Sequence, residues 1–491
     1  MPNQHDSMTE KRVKFALFMS AILLTFVWFV GCIGGDQAKA GQTDDATLNL
    51  AQNETTNELE SAENQVPPDD ASANSSGQDQ AQEQTQAQTQ DQAQTQTQTQ
   101  DQAQTQTQGD SAPFRIGIVT ATDHQGIDVN WAMQKIFERY KSVEQGGIIK
   151  HVTYPDNFMS ELEKTMAVIE DLAQDSLIKV IYVIEGVPGT AEAFLNIRSK
   201  RPDILLLVSE SHEDPGIISE VADLVVSTDF EARGYLIPYV AKTLGAKSFV
   251  HVSFPRHMID ESFNRRRTIM ELACQDLGLQ FGYENAPDPT ADGGIEVAQN
   301  FILEHIPLWL EEYGPDTAFF TTNNAHTAPM IRQIVEHGGY FVEADEASPL
   351  FAYPEALGLE IDADIVEWKE IIDLIEKVLV DKGAGGRLGT WTSSLTYSHI
   401  WSMVEFGYLA ASGQKDKSDT KALLECYEQT APGVKWNGSY YIDQNNKEYS
   451  NIFLIYQDTY IFGLGYVETT KVDIPEKYKS VSLDSESDAQ N

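Results

Sequence analysis

The stretch Val180-Ile-Tyr-Val-Ile184 is an uninterrupted apolar run of mostly β-branched residues, which is typical of a strand buried on both faces. Similar runs lie before and after it, and segments of helical period separate them. The runs cover 114–119, 148–152, 204–208 and 224–226, and the helical segments cover 131–140, 158–173 and 191–199. Apolar strands that alternate with helices indicate a parallel sheet with helices on both faces.

A second series of strands and helices repeats this pattern further along the chain. Its apolar runs cover 248–252, 279–283, 318–321 and 340–342, with helices that begin near residues 260, 294 and 328. The predicted fold class is therefore α/β, with two doubly wound parallel-sheet lobes joined by a hinge. In open parallel sheets, the loops that contact ligands follow the carboxyl ends of the strands.

Two segments carry a resemblance to a known family. The first strand and loop, Ile116-Gly-Ile-Val-Thr-Ala-Thr122 with Gly126 and Asp128-Val-Asn-Trp131, and the junction Ser227-Thr-Asp-Phe-Glu-Ala-Arg-Gly234 are similar to type I periplasmic solute-binding lipoproteins. The resemblance covers 113 to about 470, and within that superfamily it is to a family of unknown function. It implies a hinged body that captures a small molecule, with a membrane permease complex as partner. The Asp-Asp-Lys-Ser-Phe-Asn loop of purine-nucleoside lipoproteins is missing here, since Ser262-Phe-Asn264 lies in the other lobe.

The resemblance also implies where the chain passes between lobes, with a second crossing near 352–359. Helix 365–380 and segment 391–409 are accordingly assigned to the first lobe. The predicted segments are lobe 1 at 113–229, lobe 2 at 230–352, a return to lobe 1 at 353–412, completion of lobe 2 and the hinge at 413–475, and an acidic tail at 476–491.

The N-terminal segment predicts export. Lys11, Arg12 and Lys14 precede the apolar run 15–30, as in a secretory signal, and Gly31-Cys32 follows it. This end resembles a bacterial lipobox, which implies lipidation of Cys32; Phe29 departs from the usual Leu and leaves a retained signal anchor as the alternative. Residues 33–112 are rich in Gln, Thr and Asp and predict a disordered tether. The expected localisation is extracytoplasmic, at the cell membrane, in the periplasm or on the cell surface.

Charge and cysteine content exclude several classes of function. With 34 Lys and Arg against 75 Asp and Glu, the net charge of -41 argues against binding to nucleic acid. The three cysteines show no metal-ligand spacing, so neither a metal nor another cofactor is predicted. Cys274 and Cys426 are predicted to be buried free thiols, with a disulfide between them as the alternative.

Polar residues at the strand ends of the first lobe are candidate ligand contacts. They are Thr120, Thr122, Asp123, His124, Glu185, Glu210 and Ser211. Hydroxyl groups and the free backbone N–H groups of a helix start can bind polar or anionic groups, and acidic loops suit hydroxyls or amines. The alternative is that Thr and Asp cap helices and that the acidic residues are solvated turn positions.

The second lobe and the return segment supply the other candidates. They are Ser253, Thr322, Asn323, Asn324, Arg266 and Trp391. Ser, Thr and Asn at a strand end provide donors and acceptors without net charge, an arginine can clamp a carboxylate, and a tryptophan can stack on a sugar or heterocycle. Capping, a solvated charge run and core packing are the respective alternatives.

The predicted function is capture of a small polar ligand by hinge closure, without catalysis. No nucleophile elbow, P-loop, HExxH or dinucleotide-binding fingerprint occurs in the sequence. Two alternatives remain open. One is an exported hydrolase that uses a histidine with a metal, and the other is a lipoprotein that senses a ligand or mediates adhesion.

Overall fold

The computed structural model describes residues 114–122, 126–361, 367–479 and 481. Its strands are β1 (Arg115–Thr120), β2 (Ile149–Thr153), β3 (Ile178–Ile184), β4 (Leu205–Ser209), β5 (Leu224–Thr228), β6 (Ser248–Ser253), β7 (Gln280–Asn285), β8 (Thr317–Thr321), β9 (Tyr340–Phe341), β10 (Gly389–Thr390), β11 (Trp436–Ile442), β12 (Glu448–Gln457), β13 (Thr459–Ile461) and β14 (Gly465–Val467). The predicted signal segment, Cys32 and the tether lie outside the described residues.

Helices occupy most of the connections between these strands. They are α1 (Ile127–Tyr140), α2 (Leu162–Leu172), α3 (Thr190–Lys200), α4 (Pro215–Ile218), α5 (Phe230–Leu244), α6 (Pro255–Ile259), α7 (Glu261–Leu277), α8 (Gly294–Tyr313), α9 (Asn324–His337), α10 (Tyr353–Leu357), α11 (Trp368–Asp381), α12 (Leu395–Ala411) and α13 (Thr420–Tyr427). Among the described helices, none is both long and apolar enough to cross a membrane.

The first lobe is built on a seven-stranded sheet in the order β11-β12-β5-β4-β3-β1-β2. All neighbours in it are parallel except β11 and β12, which are antiparallel. Successive residues of β3 are buried in different clusters, since Val180 and Tyr182 pack with α1 and α12 whereas Ile181 and Val183 pack with α2 and α3. Burial on both faces explains why this strand has no polar alternation.

The second lobe contains the parallel sheet β7-β6-β8-β9 and the small sheet β10-β13-β14. A parallel bridge between Phe341 and Leu388 links the two sheets, because Leu388 directly precedes β10. Phe249 packs on the side of α5 and α7, and Val250 packs on the side of α8 and α9. The prediction of two parallel-sheet α/β lobes is confirmed, and the predicted strands lie within a few residues of the observed ones.

In the described residues the chain passes between the lobes at Asp229, at Trp391–Ser394 and at Asp458. The sequence placed the second passage near 352–359, whereas the chain stays with the second lobe through Thr390, because β10 pairs with β13. Helix α11 therefore precedes this passage and does not follow it. The passages are joined by hydrogen bonds, since Asp229 N donates to Ile455 O (2.9 Å) and Thr392 N donates to Gln457 Oε1 (3.1 Å).

The segment predicted to complete the second lobe is divided between both lobes. Strand β12 pairs with β5 through Ile452 and Val225, so β11 and β12 belong to the first sheet, and only β13 and β14 join the second lobe. This pairing lets the last long strand extend the first sheet beyond β5. Cys274 and Cys426 are buried free thiols, as the sequence predicted.

Candidate functional site

Three carboxylates from both lobes face one another at the carboxyl ends of the sheets. Asp128 lies in the first turn of α1, Glu185 follows β3, and Glu346 lies in the loop after β9. Each side chain is partly exposed. The charges of Asp128 and Glu185 both act on Glu346, so residues of the two lobes share one electrostatic site.

Burial and mutual repulsion make these groups hold their protons unusually tightly. Burial raises the pKa of Glu185 to about 7, and the charges of Asp128 and Glu210 add to this shift. Burial likewise raises the pKa of Glu346 to about 7, with the charges of Asp128, Glu185 and Asp345 adding to it. Burial also raises the pKa of Asp128, although a hydrogen bond from Ser394 opposes this shift. Near neutral pH the cluster therefore contains both carboxylates, which accept hydrogen bonds, and protonated carboxyl groups, which donate them.

Neutral donors orient each carboxylate of the cluster, and Asp128 Oδ1 also accepts from Val129 N (3.1 Å). Ser394 Oγ donates to Asp128 Oδ2 (2.5 Å), Tyr154 Oη donates to Glu185 Oε2 (3.3 Å), and Asn324 Nδ2 donates to Glu346 Oε2 (3.0 Å). Ser394 lies at the passage between β10 and α12, so the hinge itself contacts the site. The remaining oxygen atoms can accept hydrogen bonds from a bound molecule.

Glu185 and Glu210 end neighbouring strands with the same unusual backbone conformation. Their φ angles are 49° and 42°, in the left-handed region that most residues avoid. Such a turn redirects the side chain at the end of a strand, and strained positions of this kind concentrate at functional sites. The two carboxylates then differ, because Glu185 joins the cluster whereas Glu210 turns into the first lobe.

Glu210 is bound by groups of the first lobe. Its Oε1 accepts from Thr228 N (2.8 Å), from Thr228 Oγ1 (2.9 Å) and from His399 Nε2 (2.9 Å). Burial alone would raise the pKa of Glu210, but the hydrogen bond and charge of His399 and the bonds from Thr228 outweigh it, so the pKa is lowered. Through Oε1 this carboxylate holds α12 and β5 together at the strand end.

The other first-lobe candidates contact protein groups of their own lobe, and Thr120 Oγ1 lies 2.8 Å from His151 Nε2. Thr120 is buried, and its Oγ1 donates to Ala121 O (2.8 Å). Thr122 donates to Asp156, and Ser211 Oγ accepts from Glu213 N (3.2 Å). Asp123 and His124 lie outside the described residues.

In the second lobe the polar strand ends form an internal network. Ser253 Oγ lies 2.6 Å from Thr322 Oγ1, which also lies 3.0 Å from His257 Nδ1. Asn323 caps α9 by accepting from Ala325 N (2.9 Å), as the capping alternative predicted. Of this group, Asn324 is the residue that reaches the carboxylate cluster.

Arg266 and Trp391 are both enclosed by protein. Arg266 is fully buried, with Nη2 2.5 Å from Asp345 Oδ1 and its guanidinium 4.5 Å from the centre of the Phe230 ring. Trp391 is 1% exposed and packs edge-on against Trp436. The structure thus gives both side chains protein partners at the positions where a ligand group was expected.

Sequence reasoning did not single out Asp128, Glu346, Tyr154 or Ser394 as site residues. Glu346 could have been noticed because it follows the last strand of the second series by a few residues. The partner residues carry no local signal, since they come from a different strand or from the hinge. Within the described residues, no group of three or more His, Cys, Asp or Glu side chains could hold a metal ion.

Two family models and two curated relatives match parts of this chain. The model of a family described as "Protein of unknown function (DUF3798)" matches residues 114–389, and a second family model matches residues 400–481. An uncharacterized protein of Treponema pallidum (strain Nichols) is 43% identical over 220 residues, which are 44% of this chain and 98% of that protein. Another from the same organism is 44% identical over 179 residues, which are 36% of this chain and 80% of that protein.

Solved structures of similar architecture are also known. A crystal structure described as that of a transcriptional regulator from Clostridium difficile 630 has a TM-score of 0.65 at 21% identity, covering 72% of this chain and 100% of its own. A sugar ABC transporter protein from Actinomyces odontolyticus ATCC 17982 has a TM-score of 0.41 at 11% identity, covering 62% and 85%. At 21% identity, the structure with a TM-score of 0.65 shows a shared fold and no more.

Proposed function

We propose a function for this chain, which belongs to the DUF3798 family of proteins of unknown function: it is an extracytoplasmic binding protein that closes its two lobes on a small polar molecule and does not transform it. Ligand contacts to both lobes stabilise the closed state, because only that state offers them together. The closed form is then presented to a membrane permease complex.

One observation carries this proposal. Asp128 and Glu185 of the first lobe and Glu346 of the second lobe share one electrostatic site, and their side chains are partly exposed. Bringing these carboxylates together is unfavourable without compensation, as their raised pKa values indicate. A bound molecule that donates hydrogen bonds to both lobes would offset this repulsion.

The donors and acceptors of the site define the ligand chemistry. Carboxylates of Asp128, Glu185 and Glu346 accept hydrogen bonds, and the groups with a pKa of about 7 also donate when protonated. Among the described residues, no arginine or lysine forms an ion pair with any of these three carboxylates. The site therefore suits a molecule rich in hydroxyl or amine groups and disfavours an anion.

Mass spectrometry of the purified full-length chain tests the proposal. Denaturation is expected to release a small molecule with several hydroxyl or amine groups from the wild type. Glu346→Ala is expected to release at least tenfold less, because the second lobe then loses its carboxylate contact. Glu311→Gln, at an exposed position of α8, is the control and is expected to release the wild-type amount.

The export step has its own test. The basic residues before the apolar run 15–30 and the Gly31-Cys32 end support processing and lipidation at Cys32. The intact mass of the protein from its native membrane is expected to lack residues 1–31 and to include a lipid on Cys32. An unprocessed Met1 would contradict lipidation at this position.

A further inference from the structure

Arg233 in the first turn of α5 is almost completely buried and binds the loop that carries Glu346. Its Nε donates to Glu343 Oε1 (2.7 Å), Nη1 donates to Asp345 O (2.8 Å), and Nη2 donates to Ala344 O (2.6 Å). One side chain thus binds three consecutive residues that directly precede Glu346. The rigid fork of a guanidinium makes this possible, because its donors point in fixed directions.

Arg233 lies close to the first two passages between the lobes and is linked to the third through its partner Glu343. Arg233 follows the first passage, at Asp229, by one turn of helix. Its guanidinium lies 5.1 Å from the ring centre of Trp391 in the second passage. Its partner Glu343 accepts from Thr459 Oγ1 (3.4 Å), directly after the third passage. Arg233 is therefore placed where a change in the hinge would be transmitted to the loop 344–346.

We propose that Arg233 is a positioning residue for the ligand site: it fixes the loop 344–346 to the hinge and thereby holds Glu346 against Asp128 and Glu185. The inference rests on the proposed function, since it concerns the same carboxylate cluster. Opening of the hinge would move Arg233 relative to the first lobe and withdraw Glu346 with it. Closure would return Glu346 to the cluster as the lobes meet.

A purely structural role is the rival explanation, because a buried ion pair such as Arg233–Glu343 can simply maintain the fold. The two roles differ in what happens to Glu346. This carboxylate is faced by the charges of Asp128, Glu185 and Asp345 and by the amide of Asn324. If Arg233 holds it there, loss of Arg233 must also change how Glu346 titrates.

Thermal unfolding of the full chain at pH 6.0 and pH 8.5 separates the roles. In the wild type, Tm is expected to fall across this interval as the cluster loses its protons. Arg233→Lys keeps the charge but cannot bind two carbonyl groups and a carboxylate at once, so Glu346 leaves the cluster. The fall in Tm is then expected to shrink by about 2 °C, as it does in Glu346→Gln.

Arg198 offers a matched control in the first lobe. It binds two carbonyl groups and a carboxylate in the same way, through Ile204 O (3.1 Å), Val221 O (3.1 Å) and Asp223 Oδ2 (2.6 Å). Arg198→Lys is expected to lower Tm equally at both pH values. The double variant Arg233→Lys/Glu346→Gln is expected to show the same pH dependence as Glu346→Gln alone.

The inference is overturned if Arg233→Lys lowers Tm equally at both pH values, or if its effect on the pH dependence adds to that of Glu346→Gln. Should Arg233→Lys fail to fold, Arg233→Gln/Glu343→Gln removes both buried charges together and is judged by the same outcomes. None of these measurements uses a ligand. Their result is therefore independent of whether a molecule is released from the purified protein.

Discussion

Nε2 of His399 lies 2.9 Å from Oε1 of Glu210, and this contact joins helix α12 to the carboxyl end of β4. His399 is fully buried, and its Nδ1 lies 2.6 Å from the hydroxyl of Tyr427 in α13. The chain thus uses a carboxylate at a strand end to hold the helix that returns from the second lobe. Glu185, one strand away, belongs instead to the carboxylate cluster with Asp128 and Glu346.

Replacing His399 tests this assignment. His399→Leu keeps most of the side-chain volume but leaves the Glu210 carboxylate with only Thr228 as donor. Because a hydrogen bond to a charged group contributes roughly 1.5–3 kcal/mol, we expect the free energy of unfolding to drop by about 2 kcal/mol in urea denaturation followed by circular dichroism. His337→Leu, at an exposed helix end, is expected to change it by no more than about 0.5 kcal/mol. Equal effects of the two substitutions would contradict the assignment.

Stability is expected to fall as pH rises from 6.5 to 8.5. Burial raises the pKa values of Glu185, Glu213, Glu346 and Asp229 to about 7, so in this interval the folded protein holds protons that the unfolded chain has released. This stabilisation is fully present below the ordinary carboxyl pKa, and it is lost as the pH rises through about 7. A Tm at pH 8.5 that equals or exceeds the value at pH 6.5 would contradict it.

Below pH 6.5 a second set of groups acts in the opposite direction. Burial lowers the pKa values of His212, His257 and His326 to about 4, so their contribution is present above pH 6.5 and is lost as the pH falls towards 4. As the pH falls over the same interval, the four carboxyl groups with raised pKa values stabilise the folded state and oppose the histidines. We therefore expect Tm to change less between pH 5.0 and pH 6.5 than between pH 6.5 and pH 8.5.

An aromatic contact joins the two lobes outside the carboxylate cluster. Trp368, which begins α11, is nearly fully buried and packs edge-on against Trp131 of α1 and Tyr397 of α12, with ring centres 5.6 and 5.1 Å apart. Trp368→Ala is expected to lower the free energy of unfolding by about 3 kcal/mol, because it leaves a cavity between the lobes. Leu374→Ala, at a more exposed position on the same helix, is the control and should have less than half that effect.

The strands of both lobes could be predicted because each is buried on two faces and is therefore a continuous apolar run. The second passage could not, since it depends on β10, a strand of two residues whose pairing with β13 leaves no apolar run to recognise. The sequence also did not indicate which of the two sheets contains β12. An apolar strand such as β12 could join either sheet, and only its pairing with β5 at Val225 assigns it to the first.

For the site, chain position predicted which residues lie at strand ends but not which way they turn. Glu185 and Glu210 follow adjacent strands with the same backbone conformation, yet only the contacts of Glu210 with His399 and Thr228 separate their roles. Trp391 was a reasonable stacking candidate by residue type. Its ring is covered by Arg233, whose position on α5 could not be related to residue 391 from the sequence.

Proton exchange on binding distinguishes the two ligand classes that the site suits. At pH 7 the cluster of Asp128, Glu185 and Glu346 is partly protonated, because burial and repulsion hold the pKa values of both glutamates at about 7. An ammonium group would stabilise the charged carboxylates and release protons, whereas hydroxyl groups leave the protonated form in place. Titration calorimetry of the released compound in phosphate and Tris buffers at pH 7 measures this exchange. Glu346→Gln is expected to reduce any proton release, and release that is unchanged in this variant would place the bound molecule away from the cluster.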